Sequence, residues 1–158
     1  MTDRKRIRLA EMWPIMAEQL ALGKKVRFAP MGKSMLPMIR QNEDTVVLKS
    51  APPHLKKYDL PLYRRKNGQF VMHRVVGTAK DGSYIMCGDN QYVREYGITD
   101  KNILAVADGY YRGDSYISCD DKDYLRYCRR RVFMQRLRWY KAKAKSVIKR
   151  IIRYKKDK

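Results

Sequence analysis

The spacing of apolar residues divides the chain into three parts, and the first two predict a short helix followed by strands. From residue 11 to 22 apolar side chains recur at helical intervals, Pro14 suits a first turn and Gly23 suits a C-terminal cap. The pattern then shortens to strand length, and strands are predicted at 25–29, 45–49, 60–65, 69–77, 83–87, 104–111 and 116–119. The pairs Asn67-Gly68 and Asp81-Gly82 suit hairpin turns. A mainly antiparallel β structure is therefore expected.

The third part, beyond residue 120, predicts a long basic helix. Apolar residues recur there every three to five positions among many arginines and lysines, which is typical of an amphipathic helix, either continuous or broken once. Asp120, Asp121 and Asp123 favour its start, because they cap free backbone N–H groups and complement the helix dipole. We expect a β domain with an N-terminal helix at 1–122 and a basic amphipathic tail at 123–158.

The charge of the protein is concentrated in this tail. The chain has 158 residues, of which 44% are hydrophobic, a length and composition that fit one globular domain. Its 36 Lys and Arg against 16 Asp and Glu give a net charge of +20. Residues 123–158 hold 15 basic and 2 acidic residues and so carry +13 of that charge. The remaining +7 does not require an acidic substrate for the β domain.

Several segment types are missing from the sequence. It has no apolar run of the roughly 18 to 20 residues that a spanning helix needs. Its basic N-terminus lacks the apolar core and cleavage site of a secretory signal. Cys87, Cys119 and Cys128 are odd in number and lack Cys-x-x-Cys spacing, which favours free thiols in a reducing compartment over disulfides or a zinc site. We expect a cytoplasmic protein with no metal and no other cofactor.

Three short motifs contain residues that could carry chemistry. Ser34 lies in the segment G-K-S-M-L-P, and a serine needs a nearby base to act as a nucleophile. His73, one of two histidines, lies in a predicted apolar strand, and Asp89 lies in a G-D-N segment after another strand. Taken singly, the motifs have structural interpretations as a turn, a hydrogen-bonded buried histidine and a second turn.

Taken in order, the motifs G-x-S-M-x-P, H-R-V-V and G-D-N resemble those of the signal peptidase I and SOS-repressor superfamily of serine endopeptidases. The resemblance runs from about residue 20 to residue 112, and the segments 58–63 and 102–107 resemble two further strands of that family. It is nearest to the soluble bacterial branch with a histidine base. The resemblance implies a small antiparallel β-barrel-like catalytic fold and cleavage of a peptide or protein substrate.

The same resemblance implies roles for individual residues. Ser34 would be the nucleophile, His73 the general base and Asp89 the carboxylate that orients the base. The backbone N–H of Ser34 would stabilise the oxyanion. The substrate-binding and oxyanion positions around the nucleophile would be Gly32, which lacks the hydroxyl that some bacterial enzymes supply there, Met35, which packs beside the substrate strand, and Pro37, which fixes the turn.

Alternatives remain open for both parts of the chain. The β domain could capture an extended peptide by strand addition without cleaving it. The tail could pack on the domain, lie with its apolar side on an anionic membrane, or bind nucleic acid. The membrane is favoured because basic residues beside Trp139 and Ile148 suit interfacial binding, which would hold the protein at the inner membrane face. Nucleic acid ranks behind it, because no nucleic-acid fold motif accompanies the charge.

Overall fold

The fold combines two α-helices and a short 3-10 helix, Asp100–Asn102, with nine strands in the part of the chain that the structure describes. A computed structural model describes residues 9–156, with side chains described as far as residue 148. Helix α1 spans Leu9–Ala21 and helix α2 spans Lys122–Lys156. The strands are β1 (Val26–Phe28), β2 (Asp44–Lys49), β3 (Pro61–Arg64), β4 (Phe70–Met72), β5 (Arg74–Thr78), β6 (Tyr84–Cys87), β7 (Glu95–Ile98), β8 (Ile103–Arg112) and β9 (Ser115–Ser118). The prediction of a mainly β protein with a helix at each end is confirmed.

The strands form two antiparallel sheets. The larger sheet has the order β1-β2-β8-β3-β4, and β9 pairs with the distal half of β8. The smaller sheet has the order β5-β6-β7. Among residues 9–156 the outer strands of the larger sheet do not pair with each other, so no closed barrel forms. The expectation of a barrel-like sheet is therefore replaced by two separate sheets.

The chain passes from one sheet to the other at His73. The apolar pattern predicts one strand over 69–77, but the structure divides this segment into β4, which ends at Met72, and β5, which begins at Arg74. Met72, His73 and Arg74 are all buried, whereas a continuous strand would point alternate side chains to opposite faces. His73 consequently lies at the junction of the two sheets.

Two apolar clusters stabilise this arrangement. The larger one packs both helices against the six-stranded sheet and includes Leu20 of α1 and Cys128 of α2. The smaller one surrounds the three-stranded sheet and includes Tyr63, Tyr84 and Met86. Because burial of each large apolar side chain contributes about 1.5–3 kcal/mol, both helices add to the stability of the β domain.

Helix α2 is continuous, and its first part belongs to the β domain. Tyr124, Cys128, Val132 and Gln135 recur on one face and are buried. Beyond Gln135 nearly all described side chains are exposed. The predicted tail of 123–158 therefore contains a packed part, up to Gln135, and a later part that projects from the domain. Within residues 9–156, no helix has the length and apolar character needed to cross a membrane.

Candidate active site

Ser34 lies in the segment that joins β1 to β2, here named the serine loop. The neighbours of Ser34 hold this loop in place. Ser34 is half-buried, while Met35 beside it is buried in the larger apolar cluster and Pro37 is exposed. Gly32 has a φ of 99°, a backbone conformation that residues with a Cβ rarely adopt. Its N–H donates to the side-chain oxygen of Gln41 at 2.8 Å. The glycine, the methionine and the hydrogen bond together fix the backbone on both sides of the serine.

The serine loop contacts the G-D-N segment directly. The backbone N–H of Asn90 donates to the carbonyl oxygen of Ser34 at 2.7 Å. A Cβ on Gly88 would lie 2.7 Å from that same oxygen and 3.1 Å from the Cβ of Ser34. Only glycine therefore allows the two segments to approach so closely, and the first and third sequence motifs meet in space.

The carboxylate of Asp89 is engaged by an arginine. Asp89 is fully buried, and its Oδ1 and Oδ2 accept hydrogen bonds from Nε and Nη2 of Arg74 at 2.8 and 2.7 Å. The hydroxyl of Tyr127 donates to Oδ2 at 3.2 Å. No hydrogen bond joins Asp89 to His73, although both side chains are fully described. The structure thus gives the Asp89 carboxylate a different partner from the one that the family resemblance implies.

Helix α2 holds the G-D-N segment from its other side. Nε of Arg131 donates to the carbonyl of Asp89 at 2.5 Å, and Nε2 of Gln135 donates to the carbonyl of Gly88 at 2.7 Å. Arg74 also donates to the hydroxyl of Tyr124 at 2.9 Å. The start of α2 is therefore a structural support for the segment that contacts Ser34.

His73 is buried among polar side chains from the strands. Its Nδ1 lies 3.3 Å from the hydroxyl oxygen of Tyr63 and 3.9 Å from Oε2 of Glu95. Burial lowers the pKa of His73 to about 4, since desolvation and the Arg65 charge outweigh the opposing effects of the Glu95 and Asp89 carboxylates. His73 is therefore neutral near pH 7. The other histidine, His54, is exposed and faces Asp100 at 3.0 Å.

An open groove of about 500 Å³ runs past His73. Its lining residues are Arg65, His73, Asn90, Gln91, Tyr92, Val93, Arg94 and Glu95. Asn90 links the groove to the serine loop, since its N–H binds the Ser34 carbonyl. Among the described residues, no hydrogen bond joins the Ser34 hydroxyl to His73. Asn90 therefore connects the Ser34 segment to the groove that His73 lines, although Ser34 and His73 are not hydrogen-bonded to each other.

Some side chains around His73 were not singled out from the sequence. Tyr63 lies in the segment 58–63, which resembles a family strand. Its position beside the site was therefore only weakly indicated by the sequence. Glu95 begins β7, a strand that the apolar pattern did not predict, because its burial does not alternate clearly. Arg74 follows His73 directly, and only its complete burial reveals its importance.

Comparison of this chain with models of protein families, with curated proteins and with solved structures finds no match. The resemblance to the signal peptidase and SOS-repressor superfamily therefore depends on the three sequence motifs.

Proposed function

We propose that this protein is a serine endopeptidase with Ser34 as nucleophile and His73 as general base. The observation that carries the proposal is the link through Asn90, whose N–H binds the Ser34 carbonyl and which lines the groove beside His73. The G-D-N segment thus contacts the Ser34 segment and shares a groove with His73. This supports a shared role for residues that would otherwise be unrelated turn and core positions.

The proposed reaction is acyl transfer followed by hydrolysis. Neutral His73 accepts the Ser34 proton while Oγ bonds to the carbonyl carbon of the substrate. The C–N bond then breaks, and His73 returns the proton to the leaving amine. Water, activated in the same way, releases the acyl group. No described hydrogen bond uses the Ser34 N–H, which leaves it free to donate to the oxyanion. Substrate binding has to bring Ser34 and His73 into hydrogen-bond range.

A serine-reactive acylating probe tests this proposal. The wild-type protein should gain one probe mass, and Ser34→Ala and His73→Ala should each abolish the gain. His54→Ala is the matched control, because it removes the other histidine, which is exposed and lies outside the groove lining. Labelling that survives both Ser34→Ala and His73→Ala would overturn the assignment. Comparison of new protein N-termini in cells with wild-type and Ser34→Ala protein would then identify substrates.

A non-catalytic peptide-binding role is the second candidate. It is favoured by the lack of a Ser34–His73 hydrogen bond and by the exposed apolar side chains of Tyr92, Val93 and Tyr96 near the groove. Strand β7 is at the edge of its sheet and could accept an extended peptide as an added strand. Equal binding of extended peptides by wild type and Ser34→Ala, with no acylation of either, would favour this role.

We further propose that the projecting part of α2 lies on an anionic membrane surface, which would hold the protein at the inner membrane face. Four apolar residues share one face of this part at helical spacing and form an exposed apolar stripe. They are Leu137, Tyr140, Val147 and Ile148, and they are 39%, 56%, 44% and 55% exposed. Five of the other nine residues from 136 to 148 are Arg or Lys. Exposed apolar area beside many positive charges is what interfacial binding requires. Trp139 lies away from this stripe, with the ammonium of Lys143 4.9 Å from its ring centre.

Sedimentation with vesicles tests the membrane proposal. The protein should bind anionic vesicles more tightly than neutral ones, and binding should weaken as salt shortens the Debye length from about 10 Å at 0.1 M to about 3 Å at 1 M. Replacing Leu137 and Ile148 with Ser should weaken the salt-resistant part of binding. Trp139→Ser, off the stripe, should weaken it less. Equal binding to duplex DNA and vesicles, with no effect of the apolar changes, would contradict the proposal.

A further inference from the structure

The Glu95 carboxylate next to His73 is held in its charged form. Nε and Nη2 of Arg65 donate to its two oxygens at 2.7 and 2.6 Å. Burial alone would raise the pKa of Glu95, but the hydrogen bonds from Arg65 and Tyr63 outweigh it and lower the pKa below its ordinary value. A charged carboxylate accepts hydrogen bonds and donates none. The hydroxyl of Tyr63, 2.7 Å from Oε2, must therefore be the donor in that contact.

This contact determines which nitrogen of His73 carries the proton. A tyrosine hydroxyl has a single proton, and Tyr63 gives it to Glu95. The Tyr63 oxygen then presents only a lone pair to Nδ1 of His73 at 3.3 Å. A favourable contact requires a proton on Nδ1. Because a neutral imidazole has one N–H, its Nε2 is then unprotonated and can act as a base.

We propose that Arg65, Glu95 and Tyr63 form a positioning relay that holds His73 in the tautomer with a bare Nε2. The relay takes the orienting role that the family resemblance implies for Asp89. Asp89 is not free for that role, because Arg74 and Tyr127 bind its carboxylate. The catalytic consequence rests on the proposed peptidase function, whereas the tautomer itself does not.

Nitrogen NMR of the full-length protein labelled with ¹⁵N-histidine tests the relay. Ring ¹⁵N shifts and their couplings to carbon-bound protons distinguish a protonated from an unprotonated nitrogen. The chain has two histidines, so His54→Gln assigns the His73 signals. At pH 7 the wild-type protein should show His73 with a protonated Nδ1 and a bare Nε2. A proton on Nε2 of His73 in the wild-type protein would overturn the relay.

Variants test whether Tyr63 and Glu95 determine the tautomer of His73. Tyr63→Phe should shift His73 toward the Nε2–H form, and Glu95→Gln, which keeps the side-chain shape, is the second variant should Tyr63→Phe not fold. Tyr84→Phe is the matched control, since Tyr84 lies in the same apolar cluster and donates to Asp100, away from His73. It should leave the tautomer unchanged. A tautomer unaffected by both Tyr63→Phe and Glu95→Gln would overturn the relay.

Acylation rates separate this inference from the proposed function. If both hold, Tyr63→Phe and Glu95→Gln should slow probe labelling by about a hundredfold, within the range that general base catalysis contributes, and Tyr84→Phe should not. The predicted tautomer with no labelling of wild-type protein would uphold the relay and refute the peptidase. Labelling that needs Ser34 and His73, together with an Nε2–H tautomer, would refute the relay alone.

Discussion

Arg74 and Asp89 form a bidentate ion pair whose two side chains are completely buried. The pair joins the first residue of β5 to the G-D-N segment, and Arg74 reaches α2 through the hydroxyl of Tyr124. The ion pair therefore lies where β5 of the smaller sheet, the G-D-N segment next to Ser34 and helix α2 meet. Its geometry supports a structural role for Asp89, the aspartate to which the family resemblance gives a catalytic role.

Asp89→Asn should destabilise the whole domain. Removing the charge leaves the Arg74 guanidinium buried without a counter-ion, which costs about 3–5 kcal/mol in comparable sites. The measurement is the free energy of unfolding from urea titration followed by circular dichroism. Asp114→Asn is the control, because Asp114 is exposed and forms no ion pair among the described residues. A stable Asp89→Asn protein that has lost acylation would instead restore Asp89 to the triad.

Gly88→Ala should disrupt the contact between the serine loop and the G-D-N segment. The added Cβ would lie 2.7 Å from the carbonyl oxygen of Ser34, a distance that forces the two backbones apart. We expect a loss of about 1–3 kcal/mol in the free energy of unfolding and slower probe labelling. In Gly77→Ala the new Cβ meets only the Cδ1 of Ile85, at 3.8 Å, so this control should retain both properties. Equal behaviour of the two variants would contradict the close approach of the two segments.

The labelling rate should depend on pH through His73. Its burial lowers the pKa to about 4, so the side chain is mostly neutral above about pH 5 and mostly protonated below about pH 3. The rate should therefore rise between pH 3 and 5 and stay level to pH 7, well below the rise at about 6.5 that an unperturbed histidine would give. Lys33→Ala should leave this profile unchanged. A rise centred near 6.5 would contradict the lowered pKa of His73, and a collapse in Lys33→Ala would contradict the assignment of His73 as the base.

The free energy of unfolding of the protein should also depend on pH through His73. The folded-state pKa of about 4 lies below the unfolded value of about 6.5, so between these values the unfolded chain binds a proton that the folded chain does not. The contribution of His73 to stability is complete above pH 6.5 and is lost as the pH falls toward 4. Circular dichroism at each pH separates loss of fold from protonation of the base.

Local patterns in the sequence predicted the elements better than their assembly. Alternating apolar residues located most strands, because a half-buried strand repeats every two residues. The break at His73 escaped prediction, since a run of apolar residues does not reveal a change of sheet. The motifs indicated that the Ser34 segment and the G-D-N segment are related, and these two are in contact, but the partners of His73 and Asp89 depend on long-range contacts. Glu95 reaches Tyr63 and Arg65 only because β7 folds back beside them.

Two truncated proteins test whether the packed part of helix α2 ends at Gln135. Ending the chain at residue 122 removes Tyr124, Cys128 and Val132 from the apolar core and should unfold or aggregate the domain. Ending it at residue 136 keeps those contacts and the bond from Gln135 to Gly88, so the fragment should fold and keep its probe labelling. It should lose vesicle binding, because the exposed apolar stripe and most of the tail's charge lie beyond that point. Thermal unfolding, labelling and vesicle sedimentation measure the three properties.

If the shorter fragment folds as well as the longer one, the first part of α2 is not part of the core. If the longer fragment still binds vesicles as the full chain does, the projecting part of the helix is not the membrane contact.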